Sequence, residues 1–199
     1  MTEAYLAGDL HRPSTGLLSL ENTHNARGGL ALDPDRFQET AFAAQDLGVP
    51  VHLDGARLFN AAVAHDVDVT AYTSAVDSVM FCLSKGLGAP VGTMLAGSNS
   101  FIDSALEIRK LLGGGMRQAG IIAAPGILAL EDRSHLQLDH ENAARLADGL
   151  GAIDGLRITE PETNIVLVDT TDRTRSAADV LAAIEEEGVQ ASRFGPETA

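Results

Sequence analysis

The chain has 199 residues, 28 of them acidic and 14 basic, for a net charge of −14. That charge repels nucleic acid and anionic lipid surfaces, so neither is expected as a partner. No apolar run is long enough to span a bilayer, and a hydrophobic content of 45% fits a globular protein rather than a disordered one.

Sixteen of the acids are aspartate, and only two of the bases, Lys85 and Lys110, are lysine. An Asp-rich, Lys-poor composition resembles that of proteins from salt-loving organisms, where counterions screen the self-repulsion; an ordinary acidic cytoplasmic enzyme is the alternative. The opening "MTEAYLAGDLHRP" has no apolar core of signal-peptide length, and one cysteine, Cys82, fits a reducing compartment. A cytoplasmic location is therefore expected.

In chain order, Leu17–Asn22 ("LLSLEN") reads as a short strand, followed by a polar, glycine-containing loop. Asp33-Pro34-Asp35 marks a helix start, and helical spacing runs from Arg36 to Leu47. Val49–Leu53 is a strand, Leu58–Ala64 a helix, Val69–Ala75 a short helix, and Val79–Leu83 and Thr93–Ala96 two further strands. Helices are expected over Ile102–Leu111, Gln118–Leu130 and Gln137–Leu150, with "GGG" at 113–115 breaking the first from the second. After Gly155 come a strand (Ile165–Val168), an acidic loop, a helix (Ala177–Glu187) and a strand onset (Val189–Ala191). Strand–helix alternation at this spacing predicts an α/β sheet, mostly parallel, with flanking helices. The change of pattern near residue 130 divides the chain into a large-domain part, 1–129, and a smaller α/β part, 130–199.

Ligands of open parallel sheets gather at the carboxyl ends of the strands. Two of those ends carry opposite charges, Asp54 after "VPVHL" and Lys85 after "VMFCLS". An isolated buried charge is costly, so each must be paired, neutralised or used. A lysine held away from water gives up its proton readily and can attack an aldehyde. A pyridoxal cofactor takes such a lysine together with a carboxylate for its ring nitrogen. A plain Asp54–Lys85 ion pair, or Lys85 as a solvated loop residue, accounts for the same pattern equally well. Arg57, on the first turn after Asp54, suits a substrate carboxylate or a cofactor oxygen. Ser84 offers a hydroxyl to a phosphate, and Arg117 follows the glycine run at an expected helix start, an anion-binding arrangement. His11 and His24 flank the first strand, and His52 shares a strand face with Asp54. His65, His135 and His140 read as ordinary helix or loop residues. A single cysteine leaves no zinc-type site, and no nucleophile elbow, Walker A loop or dinucleotide fingerprint is present.

The segments "LLSLENTHN", "VHLDGARLFNA", "CLSKGLGAPVG" and "IRKLLGGGMRQAGIIAAPGILAL" together resemble the successive motifs of low-specificity L-threonine aldolases. These are pyridoxal-phosphate lyases of the aspartate-aminotransferase fold. The resemblance runs from about His11 almost to the C-terminus. It implies part of the cofactor-binding large domain plus an incomplete small domain, acting on a small amino acid and assembling as a homo-oligomer, dimer or tetramer. By the resemblance Lys85 is the Schiff-base lysine, Asp54 the partner of the ring nitrogen, and Arg57 a contact to cofactor or substrate carboxylate. His11, ten residues before Glu21, matches a histidine near the substrate hydroxyl, while Lys110 and Arg117 match basic residues of the "RK…GGGMR" segment. The implied reaction cleaves threonine or allo-threonine to glycine and acetaldehyde.

Family members carry a substantial portion ahead of the matching segment, with a phosphate-binding loop and a histidine that stacks on the cofactor. They also carry a further strand with an arginine beyond it. The chain therefore resembles a fragment, expected to fold poorly and act weakly alone. Other pyridoxal-phosphate reactions (hydroxymethyl transfer, racemisation, β-elimination) and a non-catalytic chain that associates with a longer homologue are the alternatives.

Overall fold

The computed structural model describes residues 4–8, 10–170 and 176–194. By their contacts the residues form two units, Met1–His24 with Ala31–Leu136, and Asn25–Leu30 with Gln137–Ala199.

The first unit is built on a four-stranded sheet in the order β1 (Leu18–Glu21), β2 (Val51–Asp54), β3 (Ser78–Cys82), β4 (Thr93–Gly97). The first three strands are parallel, and β4 runs antiparallel to β3. Helix α1 (Pro34–Gln45) links β1 to β2, and α2 (Leu58–Ala64) and α3 (Thr70–Thr73) link β2 to β3. Helix α1 starts where the sequence says it should: the Asp33 carboxylate accepts the Asp35 and Arg36 amides, and Pro34 takes the first turn. Register and alternation then sort the side chains. Leu18, Leu20, Val51, Leu53 and Val79 face one side, where α1 to α3 cover them with Phe37, Ala41, Leu58, Ala61 and Tyr72. Tyr72 stands edge-on to Phe37 at 5.3 Å and donates its hydroxyl proton to the Leu32 carbonyl at 2.8 Å. Ser19, Glu21, His52, Asp54, Ser78 and Met80 occupy the opposite side.

Beyond β4 come α4 (Asn99–Leu111) and α5 (Gly120–Glu131). Every β4 residue is exposed, α4 buries none of its residues, and α5 buries only Gly126. The chain reaches the start of α6 (His135–Gly151), whose first two residues belong to this unit.

The second unit pairs β5 (Leu156–Thr159) antiparallel with β6 (Leu167–Thr170) and contains most of α6 and α7 (Ala177–Glu186). A reciprocal cap, Ser176 with Asp179, starts α7. The buried Thr163 hydroxyl donates to the Gly29 carbonyl at 2.8 Å, which ties the 25–30 segment into this unit.

Two sequence expectations need correction here. Residues Val189–Ala191 form no strand, and β5 was not anticipated. The acidic loop expected before α7 falls largely on 171–175, outside the described residues.

Candidate active site

The carboxyl ends of β1, β2 and β3 lie side by side, because Glu21 pairs with Asp54 and Asp54 with Met80 in the parallel register. This rim gathers most of the chemistry of the first unit. Asp54 closes β2 on the side of the sheet away from the helices. Its carboxylate accepts the Ala56 amide at 3.2 Å, and its carbonyl accepts the Asn22 amide at 2.9 Å. Gly55 follows, and a Cβ there would meet the Met80 carbonyl at 2.9 Å. The chain can therefore turn against β3 only with glycine at this point. Arg57 is half-buried at the residue before α2, one turn past Asp54.

Lys85 stands three residues beyond the end of β3 in a loop folded back on itself. The Gly88 amide donates to the Lys85 carbonyl at 2.9 Å and the Ala89 amide to the Leu83 carbonyl at 3.0 Å. Leu83, Leu87 and Ala89 are buried while Ser84, Lys85 and Gly88 are exposed. The loop backbone is thus anchored from below and presents the lysine to solvent. The desolvated setting expected for Lys85 is absent. Nor does an ion pair account for it: among the described residues neither the Lys85 ammonium nor the Asp54 carboxylate has a salt-bridge partner.

The other expected residues are more dispersed. Ser84 is exposed with its hydroxyl 3.4 Å from the Gly92 carbonyl, a long contact. Lys110 is exposed in the last turn of α4. Arg117 is exposed in the connection between α4 and α5, not at a helix start, since α5 begins only at Gly120. His11 is exposed at a turn ahead of β1.

The rim also holds Glu21, Asn22 and Thr23, which the sequence does not single out, and His24 and His52, which it does. Glu21 ends β1 opposite Asp54 and lies 3.6 Å from His24. Its strand parity with Asp54 was the available clue. Asn22 is fully buried and accepts the Leu32 amide at 3.0 Å, while the buried Thr23 hydroxyl and His24 Nδ1 have no hydrogen-bond partner among the described residues. Buried polar atoms nearly always find partners, so this corner of the rim has unmet polar demand. Finally, His52 Nδ1 lies 2.8 Å from the Ser78 hydroxyl, on the same side of the sheet as Asp54.

Residues 2–173 match the beta-eliminating lyase family, most of the chain. The protein belongs to that family. It is 45% identical over 186 residues to low-specificity L-threonine aldolase 1 of Arabidopsis thaliana, covering 92% of this chain and 52% of that one. It is 42% identical over 170 residues to the low specificity L-threonine aldolase of Escherichia coli K12, covering 85% and 50%. The fold matches a candidate L-allo-threonine aldolase of Listeria monocytogenes with a TM-score of 0.80 at 20% identity, over 96% of this chain and 55% of that structure. The chain spans about half the length of the relatives it matches. Among the described residues no helix is long and apolar enough to cross a membrane, and no cluster of metal-ligating side chains is found.

Proposed function

We propose that this chain carries the lysine-bearing half-site of a pyridoxal-phosphate-dependent threonine aldolase, cleaving the Cα–Cβ bond of threonine or allo-threonine to give glycine and acetaldehyde. The carrying observation is the rim itself. A carboxylate at the end of β2 and an amine three residues past the end of the adjacent parallel β3, neither with a salt-bridge partner among the described residues, stand in a chain of the beta-eliminating lyase family. The donor set fits the cofactor at two ends: a primary amine for its aldehyde and a carboxylate for its ring nitrogen. The fit is weaker at the phosphate, because the Ser84 hydroxyl turns toward the Gly92 carbonyl.

When bound, the cofactor would draw off the electron pair left on Cα. In this reading Lys85 holds the cofactor, and Asp54 keeps the ring nitrogen protonated. Arg57 grips the substrate carboxylate, with Lys110 and Arg117 as further basic contacts. His11 or a water takes the β-hydroxyl proton as the carbon–carbon bond breaks, and a proton delivered to Cα completes glycine.

We further place the protein in the cytoplasm, supported by its single cysteine, and in a salt-adapted proteome, supported by its −14 charge. A melting temperature that climbs steeply with potassium chloride tests the latter. Assembly as a homo-oligomer is supported by the exposed apolar residues of β4 and α4, among them Met94, Leu95 and Phe101.

Pyridoxal phosphate titration followed by borohydride trapping and peptide mapping tests the central reading. A stoichiometric adduct on Lys85, lost in Lys85→Ala and reduced about tenfold in Asp54→Ala, supports it. Labelling spread over Lys85, Lys110 and the amino terminus refutes it. Given a specific adduct, release of glycine rather than pyruvate separates aldol cleavage from β-elimination.

A further inference from the structure

His135 is the first residue of α6, 49 residues from Lys85's neighbour Gly86, yet its Nε2 lies 2.7 Å from the Gly86 carbonyl. A carbonyl only accepts, so Nε2 carries the proton and donates it. The neighbouring carbonyls of this loop are already used internally, Leu83 by the Ala89 amide and Lys85 by the Gly88 amide. The imidazole thus supplies a bond that the loop does not make for itself.

Packing holds the same peptide from two more sides. A Cβ on Gly86 would stand 2.5 Å from Oδ1 of the buried Asn60 of α2 and 3.3 Å from Leu136 Cδ2. Leu136 is fully buried, in one apolar cluster with Leu83, Leu87 and Ala89. The turn that presents His135 is itself ordered. The Asp132 carboxylate accepts the Ser134 amide at 3.1 Å and the Ser134 hydroxyl at 2.7 Å, while the Arg133 guanidinium lies 5.0 Å from the centre of the Phe59 ring.

We infer that His135 is a positioning residue for Lys85, fixing the Gly86–Leu87 peptide, the next one along from the lysine's own, through the Gly86 carbonyl, so that the loop backbone carrying the lysine is rigid while its side chain reaches freely. The inference rests on the reading of Lys85 as the cofactor lysine. Its physical basis is that a reactive group gains from a main chain fixed before the ligand arrives. The N–H that a neutral imidazole always carries is here directed at the loop's own carbonyl.

The test uses the full chain and three variants, His135→Ala, His135→Gln and Lys85→Ala. Hydrogen exchange without cofactor is read over residues 84–89. His135→Ala should raise exchange at the Gly88 amide about fivefold, the factor corresponding to one ordinary hydrogen bond. His135→Gln, whose amide can donate to the same carbonyl, should restore most of the protection. Borohydride-trapped pyridoxal phosphate on Lys85 should fall by a similar factor in His135→Ala and recover in His135→Gln. If His135→Ala lowers the melting temperature, the wild type and His135→Gln still decide: equal exchange and trapping support the tether, and Gln behaving like Ala overturns it. Unchanged exchange or unchanged trapping in a folded His135→Ala also overturns it. A wild type that gives no Lys85 adduct refutes the functional reading instead, while the exchange comparison continues to report on the tether.

Discussion

On β2, Val51 and Leu53 are fully buried, whereas two strands away every residue of β4 from Thr93 to Gly97 is exposed. The contrast extends to the helices. Helix α1 buries Phe37, Ala41 and Ala44, while α4 buries no residue and leaves Leu111 84% exposed. Hydrophobicity does not explain the difference. Helix α5, "GIIAAPGILALE", is apolar nearly all round, the pattern of an interior helix, yet Ile121 and Leu128 face solvent. Sheets with parallel strands are normally covered on both faces. The first half of this sheet meets that demand on one side with local crossovers, which sequence neighbours can supply. The β4 side has an interior's composition, yet α4, which reaches the strand where Phe101 approaches Gly97, leaves every β4 residue exposed. Burial is thus a property of what lies opposite a segment, and composition alone does not fix it.

The largest test of this contrast is a pair of truncations. Leu53→Ala removes a fully buried side chain and should cost about 2–5 kcal/mol. Leu95→Ala on β4, already 39% exposed, should change stability by less than about 0.5 kcal/mol. Urea denaturation of both variants checks this. A Leu95→Ala loss as large as that of Leu53→Ala would show that β4 is covered in solution, by self-association or otherwise.

Tyr72 sharpens the covered half. Burial pushes its phenol up to about 12, above an ordinary value of 10.0. With the folded value raised, the unfolded chain loses its proton first as pH increases. The stabilisation is therefore complete below about pH 10 and declines as pH rises toward 12. Tyr72→Phe should cost about 1–2 kcal/mol at neutral pH, since it orphans the Leu32 carbonyl. It should also flatten the part of the alkaline decline that belongs to this residue. A decline of the same steepness in wild type and Tyr72→Phe would mean that Tyr72 is accessible in solution and the core is looser than described.

The parallel core was legible in the sequence because short apolar runs, an Asp-Pro helix start and the glycine after Asp54 all point the same way. Strand direction was less so: nothing in "TMLAG" distinguishes parallel from antiparallel, and β4 is antiparallel. Strand β5 was missed because "LRIT" is short and carries an arginine. That arginine is matched only across the ladder, where Arg157 meets Asp169 at 3.2 Å. Residues Val189–Ala191 have strand propensity without a partner, and propensity alone makes no strand. At the site, Asp54 and Lys85 could be placed on the rim from sequence, since strand ends follow from local pattern. Lys85's exposure could not, because it depends on what covers the rim. His135 was passed over for the same reason, its partner being 49 residues away.

Helix caps give the smallest effect and the cleanest check that the β4 side is folded at all. Capping is local: an N-cap side chain satisfies amides of its own first turn and needs no tertiary cover. The two halves should therefore converge here. Asp33 accepts two amides at 3.1 Å at the start of α1, and Ser98 accepts the Phe101 amide at 3.3 Å at the start of α4. Asp33→Ala should cost about 1 kcal/mol, read from urea midpoints. Ser98→Ala should fall at the lower end of the range, about 0.5 kcal/mol, because it loses one longer bond. A measurable Ser98 effect would mean that α4 forms and unfolds with the rest of the sheet despite its bare apolar surface. A zero effect, beside a normal Asp33 effect, would mean that α4 is unformed or uncoupled from the core in the isolated chain. In that case the difference between the two halves would be one of folding as well as of burial.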